Sequence, residues 1–353
     1  MDIRGARARR LPRALVLLGG AAATVVVLAG CSAAAWLIGP LFLAIVIVIV
    51  INPIPQWLRR HHVPSWLATT LLVVLVYGVI ASLVVVLFVS VAQLATLLSH
   101  YADDDIVARA AAQLRHWGVG ADQARAVAGG LDLRHIVRYV GSVLGSIAGI
   151  GTSVVFLLSL LLFLSIDAAT ADVRRAGLIT GRPALGDALR TFVRGTRRYV
   201  LVTTVFGLVV AVLDSVGLAA LGVSLPVLWG VLAFMTNYIP NIGFVLGVLP
   251  PAVLGLLQGG WRLGLAVVVL YGVLNFVVQS LIQPRFVGNA VGLSTTATFV
   301  SLVLWSWILG PPGAILAVPL TLLAKALLID PDPRATWVTA LVGSIPTTST
   351  RTR

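Results

Sequence analysis

The chain has 353 residues, 59% of them hydrophobic and only 10% charged. A soluble domain carries about a quarter charged residues, so this composition excludes an ordinary cytosolic enzyme. The net charge of +13 would suit a nucleic-acid binder, but the arginines stand in short clusters between apolar runs and form no single basic domain; the partner they imply is a lipid bilayer, with no nucleic acid.

A basic cytoplasmic start, 1–13, holds Arg4, Arg7, Arg9, Arg10 and Arg13. Three membrane helices are expected within 14–98. The first covers 14–38 and ends at a tight Gly39-Pro40 turn. A short Ile/Val run at 41–51 returns, continuing as helix through Pro53 and Pro55 to Leu58, and a third helix covers 66–98. With that extension each approaches the roughly 20 residues that a bilayer crossing requires. Trp57, Arg59, Arg60, His61 and His62 mark the inner interface, aromatic first and charge behind it. Cys31, the single cysteine, follows Val27-Leu28-Ala29-Gly30 as in a lipoprotein processing site, but the apolar residues after it read as continuing helix.

Segment 99–140 is a polar extracytoplasmic insertion of short helices, and its Asp103-Asp104-Asp105 run reads as a helix cap. Helix four, 141–166, places Gly141, Gly145, Gly149 and Ser153 on one stripe, which allows close approach of another helix. The cytoplasmic loop 167–198 is rich in arginine, with an amphipathic helix from Pro183 expected to lie on anionic headgroups. Helix five, 199–221, contains Asp214 in apolar surroundings. A carboxylate there is costly unless protonated or paired, so Asp214 is the candidate for proton or sodium coupling.

The transport core is expected over 199–329, with a flexible cytoplasmic tail at 330–353. It contains two broken segments, 225–257 and 296–328. Ile239-Pro240-Asn241-Ile242-Gly243 interrupts the first and Leu309-Gly310-Pro311-Pro312-Gly313 the second, and Pro250 and Pro319 follow at similar offsets. Between them, helix 263–282 carries Tyr271, Asn275, Gln279 and Gln283 at four-residue spacing, on one slowly drifting stripe. Matching breaks in two halves point to a transporter's binding site, because unwound backbone at membrane depth persists only where protein buries it or it lines a cavity. The candidate substrate-binding residues are Asn237, Pro240, Asn241, Gly243, Asn275, Gln279, Gln283, Gly310, Gly313 and Pro319, with Arg285 in the linker after the stripe.

The fold class is an all-α polytopic membrane protein. An arm such as 225–238 rises only about 21 Å, short for a crossing. Six full spans plus two re-entrant segments therefore compete with eight spans, and both arrangements keep the termini in the cytoplasm.

Three pieces carry a family resemblance: Asn237-Tyr238-Ile239-Pro240-Asn241-Ile242-Gly243, the linker Gln283-Pro284-Arg285-Phe286-Val287-Gly288 to Gly292-Leu293, and Gly310 to Gly313 with Ala317-Val318-Pro319. With Asn52-Pro53 and the segment order, the chain resembles the autoinducer-2 exporter family of bacterial membrane transporters. It departs at Phe244, where members often have proline, at Ser294-Thr295, where they often have His-Pro, and at Ile166-Asp167, where they often have Arg-Asp. The resemblance implies a multi-pass protein of the bacterial cytoplasmic membrane, a homo-oligomer, and alternating-access export of a small polar solute or signal molecule. Sodium/proton antiport and a non-transporting membrane scaffold are the alternatives. No glutamate, zinc-protease, P-loop or serine-elbow motif occurs, so no enzyme and no cofactor is expected.

Overall fold

The computed structural model describes residues 13–101, 155–164, 182–240, 242–283 and 293–331. The acidic cap at 103–105, the Gly141 to Ser153 stripe, Asn241, Arg285, and most of the polar insertion and of the tail lie outside the described residues. The described residues form helices and no strand.

Helix α1 (Arg13–Ala33) meets α2 (Ala35–Ile51) at Ala34, and the pair is bent by 84°. The Gly39-Pro40 turn expected from the sequence is not the bend; both residues lie inside α2. Their role is packing: Gly39 is buried, and a Cβ there would stand 3.3 Å from Pro312 Cβ in the second broken segment. Asn52 separates α2 from α3 (Pro53–Arg60). Pro53 has no N–H to offer the Ile49 carbonyl, and Arg197 Nε donates to that carbonyl instead, at 3.0 Å. Next comes α4 (Ser65–Tyr101), whose Tyr77 hydroxyl donates to the Leu158 carbonyl of α5 (Val155–Leu164) at 2.7 Å.

The sequence reading divides an amphipathic loop helix from a span at residue 198. The structure runs straight through as α6 (Pro183–Ala220), 38 residues and about 57 Å long. No proline interrupts it, and backbone hydrogen bonding propagates regardless of where charge gives way to apolar side chains. The apolar side of its first part is covered by protein. Ala188 and Phe192 pack with Phe42, Val46, Leu320 and Leu322.

A left-handed turn through Gly222 (φ 74°) and Leu225 (φ 60°) sends the chain back as α7 (Pro226–Thr236). After a break at 237–242 the chain reverses into α8 (Gly243–Asn275). A Cβ on Gly247 would meet Thr236 Oγ1 at 3.1 Å and Ala233 Cα at 3.7 Å, while one on Gly243 would overlap the Thr236 carbonyl. That is the register of a helical hairpin. A second reversal falls at Gly259-Gly260, where Gly260 adopts φ 70° and ψ −168°. Gly255 and Gly264 then pack the two arms of α8 together. Ser224 and Gln258 tie the two neighbouring turns: the Ser224 N–H donates to Gln258 Oε1 at 3.1 Å, and Gln258 Nε2 to Ser224 Oγ at 2.7 Å. Beyond α8 a π-helical segment, Phe276–Ile282, completes the stripe helix.

The second broken segment comprises α9 (Thr295–Leu309), α10 (Pro311–Ile315) and α11 (Ala317–Leu328). Ser294 Oγ caps α9 by accepting from the Ala297 N–H at 3.2 Å. The segment also folds back: Trp305 Nε1 donates to Thr321 Oγ1 at 3.0 Å, and Gly313 abuts the Trp305 carbonyl. Helix α6 serves both hairpins. Its first half packs on α11, while Leu218 near its end joins Trp229, Val248 and Val267 around the first hairpin. The exposed Val, Leu, Ile and Phe side chains on α6 to α9 suit a lipid surround.

Candidate functional site

The first break is anchored on α6. Asn237 Nδ2 donates to the Thr203 carbonyl at 3.0 Å, and the Tyr238 and Thr204 hydroxyls lie 2.7 Å apart. Gly207 makes room for Asn237, because a Cβ there would approach Asn237 Nδ2 to 2.7 Å. The stripe of α8 and the π-helical segment faces this break. Gln279 Nε2 donates both to Asn237 Oδ1 at 3.0 Å and to Asn275 Oδ1 at 2.6 Å, and Asn275 Nδ2 donates to the Tyr271 carbonyl at 2.9 Å. Three amides thus form one directed relay from the stripe to the break and on to α6.

A cavity lies beside the relay, lined by Val210 and Asp214 of α6, Ala233, Thr236 and Asn237 at the end of α7, Gly243, Phe244, Gly247, Tyr271 and Asn275 of α8, and Gln279. The space it offers to a water-sized sphere is about 10 Å³, room for about one water. Asp214 is 0% exposed and Tyr271 1%. Both Asp214 carboxylate oxygens and the Tyr271 hydroxyl are buried without a hydrogen-bond partner. No Lys, Arg or His stands among the lining residues.

The structure therefore brings together Asp214, Asn237, Gly243, Asn275 and Gln279 from the sequence candidates. Pro240 sits half-buried in the break, off the cavity wall, with its carbonyl accepting from the Ile242 N–H at 2.8 Å. Gln283 follows the π-helical segment and also lies off the wall. Gly310, Gly313 and Pro319 belong to the second hairpin. Gly310 takes φ 69°, Gly313 is a close-packing position, and Pro319 is buried. Their surroundings are apolar, so the second break adds no polar group to this cavity. The two breaks touch through Ile239, which packs on Leu302, Ala314 and Ala317. Tyr271 was legible on the stripe but was not among the sequence candidates. Its buried hydroxyl becomes notable only once Asp214 shares its cavity.

Long apolar helices, broken hairpins and a buried polar relay define a multi-pass helical membrane protein. It belongs to the AI-2E family of transporters, whose pattern it matches over residues 21–330. Among its relatives, a putative transport protein of Haemophilus influenzae is 30% identical over 92% of this chain and 95% of its own length. The AI-2 transport protein TqsA of Escherichia coli is 30% identical over 86% of this chain and 89% of its own length. The putative transport protein YhhT of Escherichia coli is also 30% identical, over 86% and 87%. A transport role across a lipid bilayer follows from this membership.

Proposed function

We propose that the chain is a secondary transporter that moves a small polar solute by alternating access around the first break, with ion coupling at Asp214. The supporting observation is the convergence of Asp214, Asn237, Asn275 and Gln279 from separate helices on one cavity. In this reading both hairpins are re-entrant and enter from opposite sides, leaving six full spans. Arg285 and both termini face the cytoplasm, the membrane is the bacterial cytoplasmic one, and the early helices provide the scaffold of a homo-oligomer. The relative TqsA, described as an AI-2 transport protein, makes that signal molecule the first solute to test.

Sodium/proton antiport is the second reading, favoured by the small size of the cavity, which has room for about one water or one ion. The test is internal pH in proteoliposomes under an imposed sodium gradient, beside efflux of the signal molecule, for wild type and Asp214→Asn. Sodium-driven proton movement lost in the variant supports antiport. Solute flux dependent on Asp214 supports coupled export. Neither, from well-folded protein, overturns both of these readings.

A further inference from the structure

We infer that Asp214 and Tyr271 form a proton-loading pair, in which the carboxylate takes up one proton and the tyrosine hydroxyl orients it. The inference rests on the reading above only for its place in transport; the chemistry stands on the cavity alone. Around the cavity, Asn237, Asn275 and Gln279 bond to one another and to backbone carbonyls. Both oxygens of Asp214 and the hydroxyl of Tyr271 do not. A carboxylate that is 0% exposed with no donor and no cation beside it is too costly to bury, so the site is completed by a positively charged species.

A proton fits this site better than a metal ion. Sodium needs a cage of several oxygens, whereas the amide hydrogen bonds already turn the Asn237 and Asn275 oxygens toward Gln279. A proton needs one acceptor and one neighbour to receive the resulting O–H. In loading, one O–H bond of hydronium breaks, an O–H bond to an Asp214 oxygen forms, and neutral water is released. The loaded acid donates toward Tyr271 Oη through one water, which the cavity has room for.

Other titratable groups on the packed elements lie elsewhere. Lys325 of α11 pairs with Asp330 at 2.7 Å, and Arg262 of α8 sits over Trp261. Asp187, Arg190, Arg194, Arg197 and Arg198 occupy the first half of α6, and none lines the cavity. Tyr238 bonds Thr204 at the break, and Tyr199 is not on the wall. Among the described residues, Tyr271 is the titratable group facing Asp214.

The test is infrared difference spectroscopy of the full chain in lipid nanodiscs on stepping the pH, which detects the carbonyl band of a protonated carboxyl group. The expected result is one band that is lost in Asp214→Asn, moved in Asp214→Glu, and shifted in frequency by Tyr271→Phe. Adding sodium at fixed pH should leave it in place. A spectrum in which no band depends on Asp214 overturns the pair, as does displacement of the band by sodium, which would make this a metal-cation site. A band insensitive to Tyr271→Phe removes the tyrosine's role. Because the band needs no flux, failure of transport and failure of proton loading are read separately.

Discussion

Gly230 and Gly272 offer the same substitution with opposite expected signs. Gly230 is buried on α7 where that helix crosses α6. A Cβ there would overlap Ser215 Oγ and stand 2.6 Å from the Ala211 carbonyl oxygen. Ser215 Oγ already donates to that same carbonyl at 2.8 Å, so turning it aside would break a bond, and the carbonyl is backbone that moves only with its helix. Gly→Ala gains about 1 kcal/mol of helix propensity, while overpacking a tight contact costs about 1–3 kcal/mol. With backbone in the way the upper part of that range applies, and Gly230→Ala should destabilise by about 1–2 kcal/mol. At Gly272 an added Cβ meets nothing within 4 Å, so only propensity remains and Gly272→Ala should stabilise by up to about 1 kcal/mol. Thermal unfolding of the purified variants in one detergent reads both. A Gly230→Ala protein as stable as wild type, or two shifts of the same sign, would refute the close α6–α7 crossing.

Four further outcomes are expected. Asn237→Leu removes the acceptor of Gln279 and the donor to Thr203, so flux in proteoliposomes should fall at least about tenfold, the equivalent of 1.4 kcal/mol, with membrane insertion retained; normal flux would detach the relay from transport. Arg197→Ala takes the Nε donor from the Ile49 carbonyl beside Pro53 and should cost about 1–3 kcal/mol in unfolding, which an unchanged melting temperature would contradict. Gln258→Ala frees the Ser224 N–H and hydroxyl, and hydrogen exchange at 221–226 should speed by about tenfold or more while α6 is unaffected; uniform exchange would show that the turns are not tied there. Ile239→Ala trims the contact between the breaks and should reduce flux while leaving the Asp214 infrared band intact, whereas full flux would show that the hairpins work independently.

Where the sequence was legible, a local residue enforces the geometry. Proline and glycine punctuate both breaks, and the hairpin turns at 237–242, Gly259-Gly260 and Gly310 fall beside such residues. The 84° bend at Ala34 has no such marker. Gly39-Pro40 looks like a turn because turn chemistry is local, yet its glycine serves Pro312, a partner distant in sequence. The boundary placed at residue 198 followed a change in composition. A helix stops at a lost N–H or a released φ, and beyond its first residue, Pro183, α6 contains neither. The stripe of Tyr271, Asn275 and Gln279 could be read from its spacing. That Asn237 closes the relay, and that Asp214 rather than a residue of the second break shares its cavity, depends on how α6, α7 and α8 pack.

The two breaks match in sequence but not in chemistry. If both were equivalent half-sites, the second would bury amides or carboxylates beside its open turn. It buries Leu316, Val318 and Pro319 instead, and one side-chain pair it makes, Trp305 to Thr321, lies inside its own hairpin. The polar groups gather at the first break because α6 crosses there with Asp214, Thr203 and Gly207, supplying a carboxylate, a backbone acceptor and the space for Asn237. The second hairpin holds the other half of α6 through Leu320 and Leu322 and seats Ile239 against Ala314 and Ala317. A tilt of the second hairpin would therefore press on the first break through Ile239 and on the helix bearing Asp214 at once. Under the proposed transport role the first break would hold the chemistry and the second the lever, and both contact a single uninterrupted helix.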